Sequence, residues 1–234
     1  IMIKDIDAVS KVFLRLQEDG VACIWRPLHE ASGAWFWWGI GTAEQYKALY
    51  KLMYDRMVKD NGVNNCLWVW NIERLNKAPY DENVLEASWY PGDEYCDFIS
   101  VDVYKDANDN GSLSGYFNKI QDLMGSDKMI ALSENGPIPD VNNMHKDGAV
   151  WSWWMPWYDS WGDSKFISQT SNSVWKSNME DERVITLEDM KDWGTYKGSV
   201  VVDDPCTLNT SVHIEAECAD YKGVEVGSEV CSGG

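Results

Sequence analysis

Apolar residues over the first 178 positions follow helical and strand spacings in turn, and that alternation predicts a layered α/β chain. Residues 5–19 carry Ile6, Val9, Val12, Phe13 and Leu16 at the spacing of one helical face, and Gly20 stops the helix. Residues 22–28 read as a buried strand. Thr42, Ala43 and Glu44 open a second helix, with Tyr46, Leu49, Tyr50, Met53 and Met57 inward and an end near Gly62. Residues 66–72 form the next predicted strand. A third unit is irregular, with a short helical stretch near 82–88 before a strand at 98–103. A helix over 113–125, a strand over 128–133, a loop, a strand over 148–154 and a helix over 164–177 complete the series.

Strands that are apolar almost throughout, alternating with helices, imply a parallel sheet covered on its faces. Charged and aromatic residues gather just after the strands, at the ends where a (β/α)8 barrel carries its active site. Five strands and about five helices fall short of the eight of each, in about 250 residues, that such a barrel uses. The expected fold is therefore a (β/α)8 TIM barrel truncated to about its last five β/α units. Residues 1–178 would be that partial barrel, and 179–212, passing through Asp203, Asp204 and Pro205, a domain end and linker. A new segment opens at 213–234.

The net charge of −18 over 234 residues repels phosphate backbones and speaks against nucleic-acid partners. No run approaches the ~18 apolar residues of a membrane span, and no leader pattern stands at Ile1. The six cysteines form no close pair and the three histidines lie far apart, so no metal site and no cofactor are expected. Cys23 and Cys66 read as small buried thiols, and Cys206, Cys218 and Cys231 leave room for one disulfide. The fourteen tryptophans cluster beside turns and carboxylates, where flat faces can stack on sugar rings.

Two carboxylates stand at predicted strand ends. Glu30 closes Ile24-Trp25-Arg26-Pro27-Leu28-His29-Glu30, and Glu134 closes Met129-Ile130-Ala131-Leu132-Ser133-Glu134. Alternation puts Glu30 on a face with Arg26 and Leu28, and Glu134 with Ile130 and Leu132. Their spacing fits strands three units apart. Two carboxyl groups about 5–5.5 Å apart above a barrel would serve a retaining glycosidase as acid/base and nucleophile.

The run from Arg26 through His29-Glu30-Ala31-Ser32-Gly33-Ala34-Trp35 to Gly39 resembles the acid/base motif of glycoside hydrolase family 26. Ala131-Leu132-Ser133-Glu134-Asn135-Gly136 is similar to the nucleophile motif of that family. His29 stands before the glutamate, as in family 26, where related families generally carry asparagine. Ala34 replaces a commoner glycine. The resemblance implies a retaining endo-β-1,4-mannanase, with Glu30 as acid/base and Glu134 as nucleophile. It implies that His29 orients the nucleophile or the sugar, that Trp35 is a stacking platform, and that Tyr104 hydrogen-bonds the nucleophile. Trp157 would stack on sugar, with Trp153 the alternative. Arg26 would hold carboxylates ionised or form a structural ion pair. The substrate would be mannan, glucomannan or galactomannan, and the enzyme secreted and monomeric. Mixed-linkage β-glucan, β-1,3-xylan, or sugar binding without turnover remain as alternatives.

Asp106, Asn108, Asn110 and Gly111 copy the front of a calcium loop, but Phe117 stands where its bidentate glutamate belongs, so a polar turn is expected. The tail from Ile214 through Glu215, Glu217 and Gly223 resembles the opening strand of a carbohydrate-binding module of family 35 or 6, a β-sandwich.

Overall fold

The computed structural model describes residues 2–79, 81–125, 128–157 and 169–190. The suggested binding-module start, Cys206, Cys218 and Cys231, most of the linker and positions 164–168 of the last predicted helix lie outside the described residues. The chain divides into two compact units, Ile1–Val184 and Ile185–Gly234. In the second, a 3-10 turn Leu187–Met190 is described, opened by the Thr186 hydroxyl 2.9 Å from Asp189.

The first unit is a five-stranded parallel sheet in sequential order. Its strands are β1 Cys23–Trp25, β2 Cys66–Ile72, β3 Phe98–Val103, β4 Met129–Asn135 and β5 Trp154–Pro156. Its helices are α1 Met2–Glu18, α2 Ala43–Tyr54, α3 Ser114–Met124, α4 Val141–Asp147 and α5 Asn172–Met179. The sheet curls, because groups two and three strands apart meet on one face. Asn71 on β2 reaches the Ser133 hydroxyl on β4 at 3.1 Å across β3. Arg26, just past β1, reaches both β3 and β4.

Strands β2 and β3 have the predicted bounds, since their apolar runs are buried on both faces: Val69, Trp70 and Ile72 in one and Ile99, Val101 and Val103 in the other are almost solvent-free. α1 buries Ile6, Phe13 and Leu16, while Val12 is left 54% exposed. α2 starts on a reciprocal cap, with Gln45 N donating to Thr42 Oγ1 and Thr42 N to Gln45 Oε1. It buries Tyr46 and Tyr50, then widens into a π-helical turn Asp55–Asp60 that tucks in Met57. Leu49 and Met53 are half-buried.

Three expectations need correction. β1 is only three residues long, because Pro27 has no N–H to give a ladder and the chain enters a turn. Alternation therefore does not place Glu30. The predicted strand over 148–154 is displaced to Trp154–Pro156, and residues before it bond β4 irregularly, through Ser152 N to Ile130 O and Trp153 O to Leu132 N. The loop before it contains α4, capped by the Asp140 carboxylate at Asn142 N and ended by Gly148 at φ 72. Phe117 packs edge-on to Trp151 at 5.1 Å inside the core. The turn before it spends Asn110 on the Ile138 carbonyl and Asp109 on Gly111 N, as a polar turn does.

Cys23 and Cys66 are half-buried and face each other in register across β1 and β2. Among the described residues, no helix is long and apolar enough to cross a membrane.

Candidate active site

At the C-terminal ends of the strands three carboxyl groups converge. Glu30, Asp102 and Glu134 each bring an oxygen within 4.8 Å of the other two. All three are buried. Three acids so close would repel one another strongly out of water, so the fold must supply cations and donors.

Glu134 arrives on β4 through a fault in the ladder. Val101 pairs with Leu132, yet Asp102 pairs with Glu134, so Ser133 is the extra residue of a bulge. Strict alternation would turn Ser133 and Glu134 to opposite faces. Instead both reach the Asp102 side: Ser133 donates to Asp102 Oδ1 at 2.6 Å, and Glu134 takes its partners above. The expected alignment of Glu134 with Ile130 and Leu132 is thus overturned. The Arg26 guanidinium bridges the acids, Nη1 to Asp102 Oδ2 at 2.9 Å and Nη2 to Glu134 Oε1. Tyr104 donates its hydroxyl to Glu134 Oε2 at 2.6 Å. Burial and the Glu134 charge push the Tyr104 phenol above its ordinary range, so it stays a donor. Arg26 pays a burial penalty, which Asp102 and Glu134 outweigh to hold its pKa above normal.

Glu30 is placed differently. It sits at φ 52 in a turn where Leu28 and Ala34 are also left-handed. Its backbone N–H is tied to Asn71 Oδ1 at 2.7 Å, and Asn71 continues to Ser133, so buried amide and hydroxyl groups join the turn to the β4 bulge. On its side chain, Oε2 accepts from Trp35 Nε1 at 2.6 Å. Burial, then Asp102 and Glu73, push the Glu30 carboxyl up to about 8. Burial also lifts Asp102 to about 6, against the pull of Arg26. Both carboxyls are thus driven toward the protonated form, Glu30 further than Asp102.

His29 Nε2 lies 3.8 Å from Glu134 Oε1, too far for a direct hydrogen bond. Burial and Arg26 lower its pKa to about 4, so the contact is between a neutral ring and a carboxylate, not an ion pair. Phe36 stacks on Trp38 at 4.5 Å, both rings flank His29, and Trp38 Nε1 donates to the His29 carbonyl at 2.8 Å.

Of the residues singled out from sequence, Arg26, His29, Glu30, Trp35, Tyr104 and Glu134 meet here. Trp157 follows β5 directly, its N–H on the Asn135 carbonyl at 2.8 Å, one residue beyond Glu134. Trp153 is not brought in: its ring meets Phe98 at the opposite end of β3, centroids 4.9 Å apart. Sequence reasoning passed over Asp102, Asn71 and Ser133. An acid inside the largely apolar run Phe98-Ile99-Ser100-Val101-Asp102-Val103 was the available signal, because an unpaired buried carboxylate is too costly to stand in a core strand. The three carboxyls have the donor chemistry of a metal cradle, but Arg26 already sits between two of them and supplies positive charge.

Residues 1–188 match the sequence profile described as glycosyl hydrolase family 26. A protein of Thermothelomyces thermophilus named mannan endo-1,4-beta-mannosidase is 38% identical over 195 residues, which are 82% of this chain and 37% of that protein. A GH26-CBM35 β-(1,4)-mannanase of Podospora anserina superposes with a TM-score of 0.70 at 34% identity, over 82% of this chain and 40% of the other. A β-mannanase from a symbiotic protist of the termite Reticulitermes speratus, solved with a gluco-manno-oligosaccharide, gives 0.68 at 36% identity, over 80% and 54%. The chain thus spans from 37% to about half of the length of these relatives.

Proposed function

This chain belongs to glycosyl hydrolase family 26, and on that premise we propose that it carries the catalytic carboxylates of a retaining endo-β-1,4-mannanase. The observation that carries the reading is the approach of Glu30 and Glu134 oxygens within 4.8 Å. That spacing suits direct attack, where the two carboxyls stand about 5–5.5 Å apart. An inverting pair stands about 6.5–9.5 Å apart to admit a water.

Glu134 attacks the anomeric carbon while Glu30 gives its proton to the departing glycosidic oxygen. The glycosyl-enzyme ester is then hydrolysed by a water whose proton returns to Glu30. Arg26 and Tyr104 hold the attacking carboxylate in place. Burial keeps Glu30 protonated until the bond breaks. Trp157 is the sugar platform at the end of β5. The five β/α units form one side of an eight-unit barrel. The substrate is mannan, glucomannan or galactomannan, a polymer met outside the cell, so the enzyme is secreted. It acts as a monomer, and the residues after 212 begin a carbohydrate-binding module.

The test is reducing-sugar release by the full-length protein from galactomannan, glucomannan, mixed-linkage β-glucan and β-1,3-xylan, with Glu134→Ala as control. Release from the mannans that disappears in the control is expected. Release from β-glucan or xylan alone would overturn the substrate, and none from any polymer would overturn the activity.

A further inference from the structure

The Glu30 carboxyl accepts a hydrogen bond from the Trp35 indole, and Trp35 in turn lies against a residue from the segment after the next strand. Past the end of β2, Arg74 sets its guanidinium carbon 4.9 Å from the centre of the Trp35 ring. Its Nη1 pairs with Glu73 Oε1 at 2.9 Å, and its side chain is only 13% exposed. The backbone of this segment is pinned on both sides. The Ser32 hydroxyl donates to the Glu73 carbonyl at 2.9 Å, Asn76 N donates to Ser32 O at 2.8 Å, and Glu86 N donates to Glu73 O at 2.9 Å. Arg74 itself bridges to Leu85. On the Trp35 side, a Cβ at Gly33 would stand 2.1 Å from the indole, so the ring lies directly on that glycine.

We propose that Arg74 is a positioning residue for the acid/base: set over the Trp35 ring, it holds the indole N–H on Glu30 Oε2 and so fixes which carboxyl oxygen carries the proton. The inference rests on the glycosidase reading above. An indole N–H can only donate, so Oε2 is committed as acceptor and the transferable proton belongs on Oε1. The flat guanidinium suits this task, because it can lie on an aromatic face while its edge keeps an ion pair in a fixed geometry, which the round, flexibly tethered ammonium does not impose. Trp35 accordingly works on the acid/base and has Arg74 over its ring, a different employment from the open sugar platform expected of it.

Four variants of the full-length protein test this: Arg74→Ala, Arg74→Lys, Trp35→Phe, and Arg74→Ala with Trp35→Phe. Arg74→Ala should lower kcat on mannan about tenfold, a fraction of what general acid catalysis supplies. It should leave kcat/KM for a dinitrophenyl β-mannobioside within about twofold, since that leaving group needs no proton. Trp35 donation favours ionised Glu30, so the alkaline limb of the mannan pH profile should move to higher pH. Arg74→Lys keeps a charge for Glu73 but has no flat face, and should show the same shift. In the Trp35→Phe background Arg74→Ala should add nothing. Equal losses on both substrates, rescue by lysine, or an undiminished Arg74 effect without the indole would each overturn the proposal. A readout independent of turnover is the Trp35 indole 1H–15N resonance, assigned by its loss in Trp35→Phe. It should titrate with Glu30 and shift in Arg74→Ala, and an unmoved resonance overturns the proposal. If the unmutated protein releases no sugar, the glycosidase reading falls, and that resonance still decides whether Arg74 governs the Trp35–Glu30 bond.

Discussion

The two strand ends that deliver the catalytic carboxylates are built on opposite plans. β4 is seven residues long and carries Glu134 within its own ladder, where a guanidinium and a phenol grip both oxygens. β1 is three residues long, and Glu30 hangs beyond it in a turn with a left-handed backbone, its carboxyl set between the Trp35 indole and the Asp102 carboxyl and largely kept from water. The difference follows the chemistry. A nucleophile must be an anion aimed at one carbon, so it is worth surrounding with fixed donors. An acid/base must hold a proton and later accept one, so among the described residues it makes no direct ion pair, and burial does the tuning. Arg26 marks the divide, since it bonds Asp102 and Glu134 directly and reaches Glu30 only through its charge.

The contrast is broken most severely by deleting the carboxylates in turn. Glu134→Ala should lower turnover of every substrate by roughly 10⁴-fold or more. Glu30→Ala should lose about 10²–10⁴-fold on mannan yet keep glycosylation by an activated aryl mannoside, measured as a burst of phenolate. Next in size is Arg26→Met, which strands two buried acids. Removing one partner of a buried pair costs about 3–5 kcal/mol, readable as a fall in the denaturant midpoint. Tyr104→Phe withdraws one charge-assisted bond from Glu134, about 1.5–3 kcal/mol, and should lower kcat/KM on mannan about 10- to 100-fold while the alkaline limb, owned by Glu30, stays put.

The pH dependence sharpens the comparison further. Glu30 titrates at about 8 in the fold against an ordinary 4.5, so the folded state binds its proton more tightly than the unfolded chain. Its contribution to stability is complete below pH 4.5 and drains away as pH rises to about 8. Melting temperature should therefore fall over that window more in the unmutated protein than in Glu30→Gln. The smallest effect belongs to Ala34, whose φ of 61 is a region that costs a residue with a Cβ about 1–2 kcal/mol. Ala34→Gly should raise stability by up to about 1 kcal/mol in chemical denaturation, offset in part by the entropy of the unfolded glycine.

That position also illustrates what could be read from the chain beforehand. Ala34 stood out as a departure from a glycine-bearing motif, but the left-handed backbone behind the preference was visible only in the folded turn. Strands β2 and β3 were legible because sustained apolar runs have no other use at that length. α4 went unnoticed although Asp140 and Gly148 bracket it, because Asn142 and Asn143 hide its short apolar face. Glu30 and Glu134 were found by their settings and not by the alternation used to orient them. Proline ended one strand early, and an extra residue shifted the register of the other. Asp102 did leave a signal, an acid too costly to bury unpaired in a core strand, whereas Arg74 escaped because a lone arginine after a strand acquires meaning only from neighbours far away in sequence.

The bulge at Ser133 reaches beyond the site. Below it, β4 obeys the pleat, and Ile130 and Leu132 are committed to packing. Above it, the orientation of Glu134 is set by the extra residue and by Arg26. The strand is thus divided into a chassis and a tool mount with a joint between them. A protein engineer could refit the lower sheet for heat resistance, exchanging isoleucine, leucine and valine there, without re-aiming the catalytic group. Deleting the single residue at the joint would turn the tool away from its work and would also cut the hydroxyl ties to Asn71, Ser100 and Asp102 that bind the strands there.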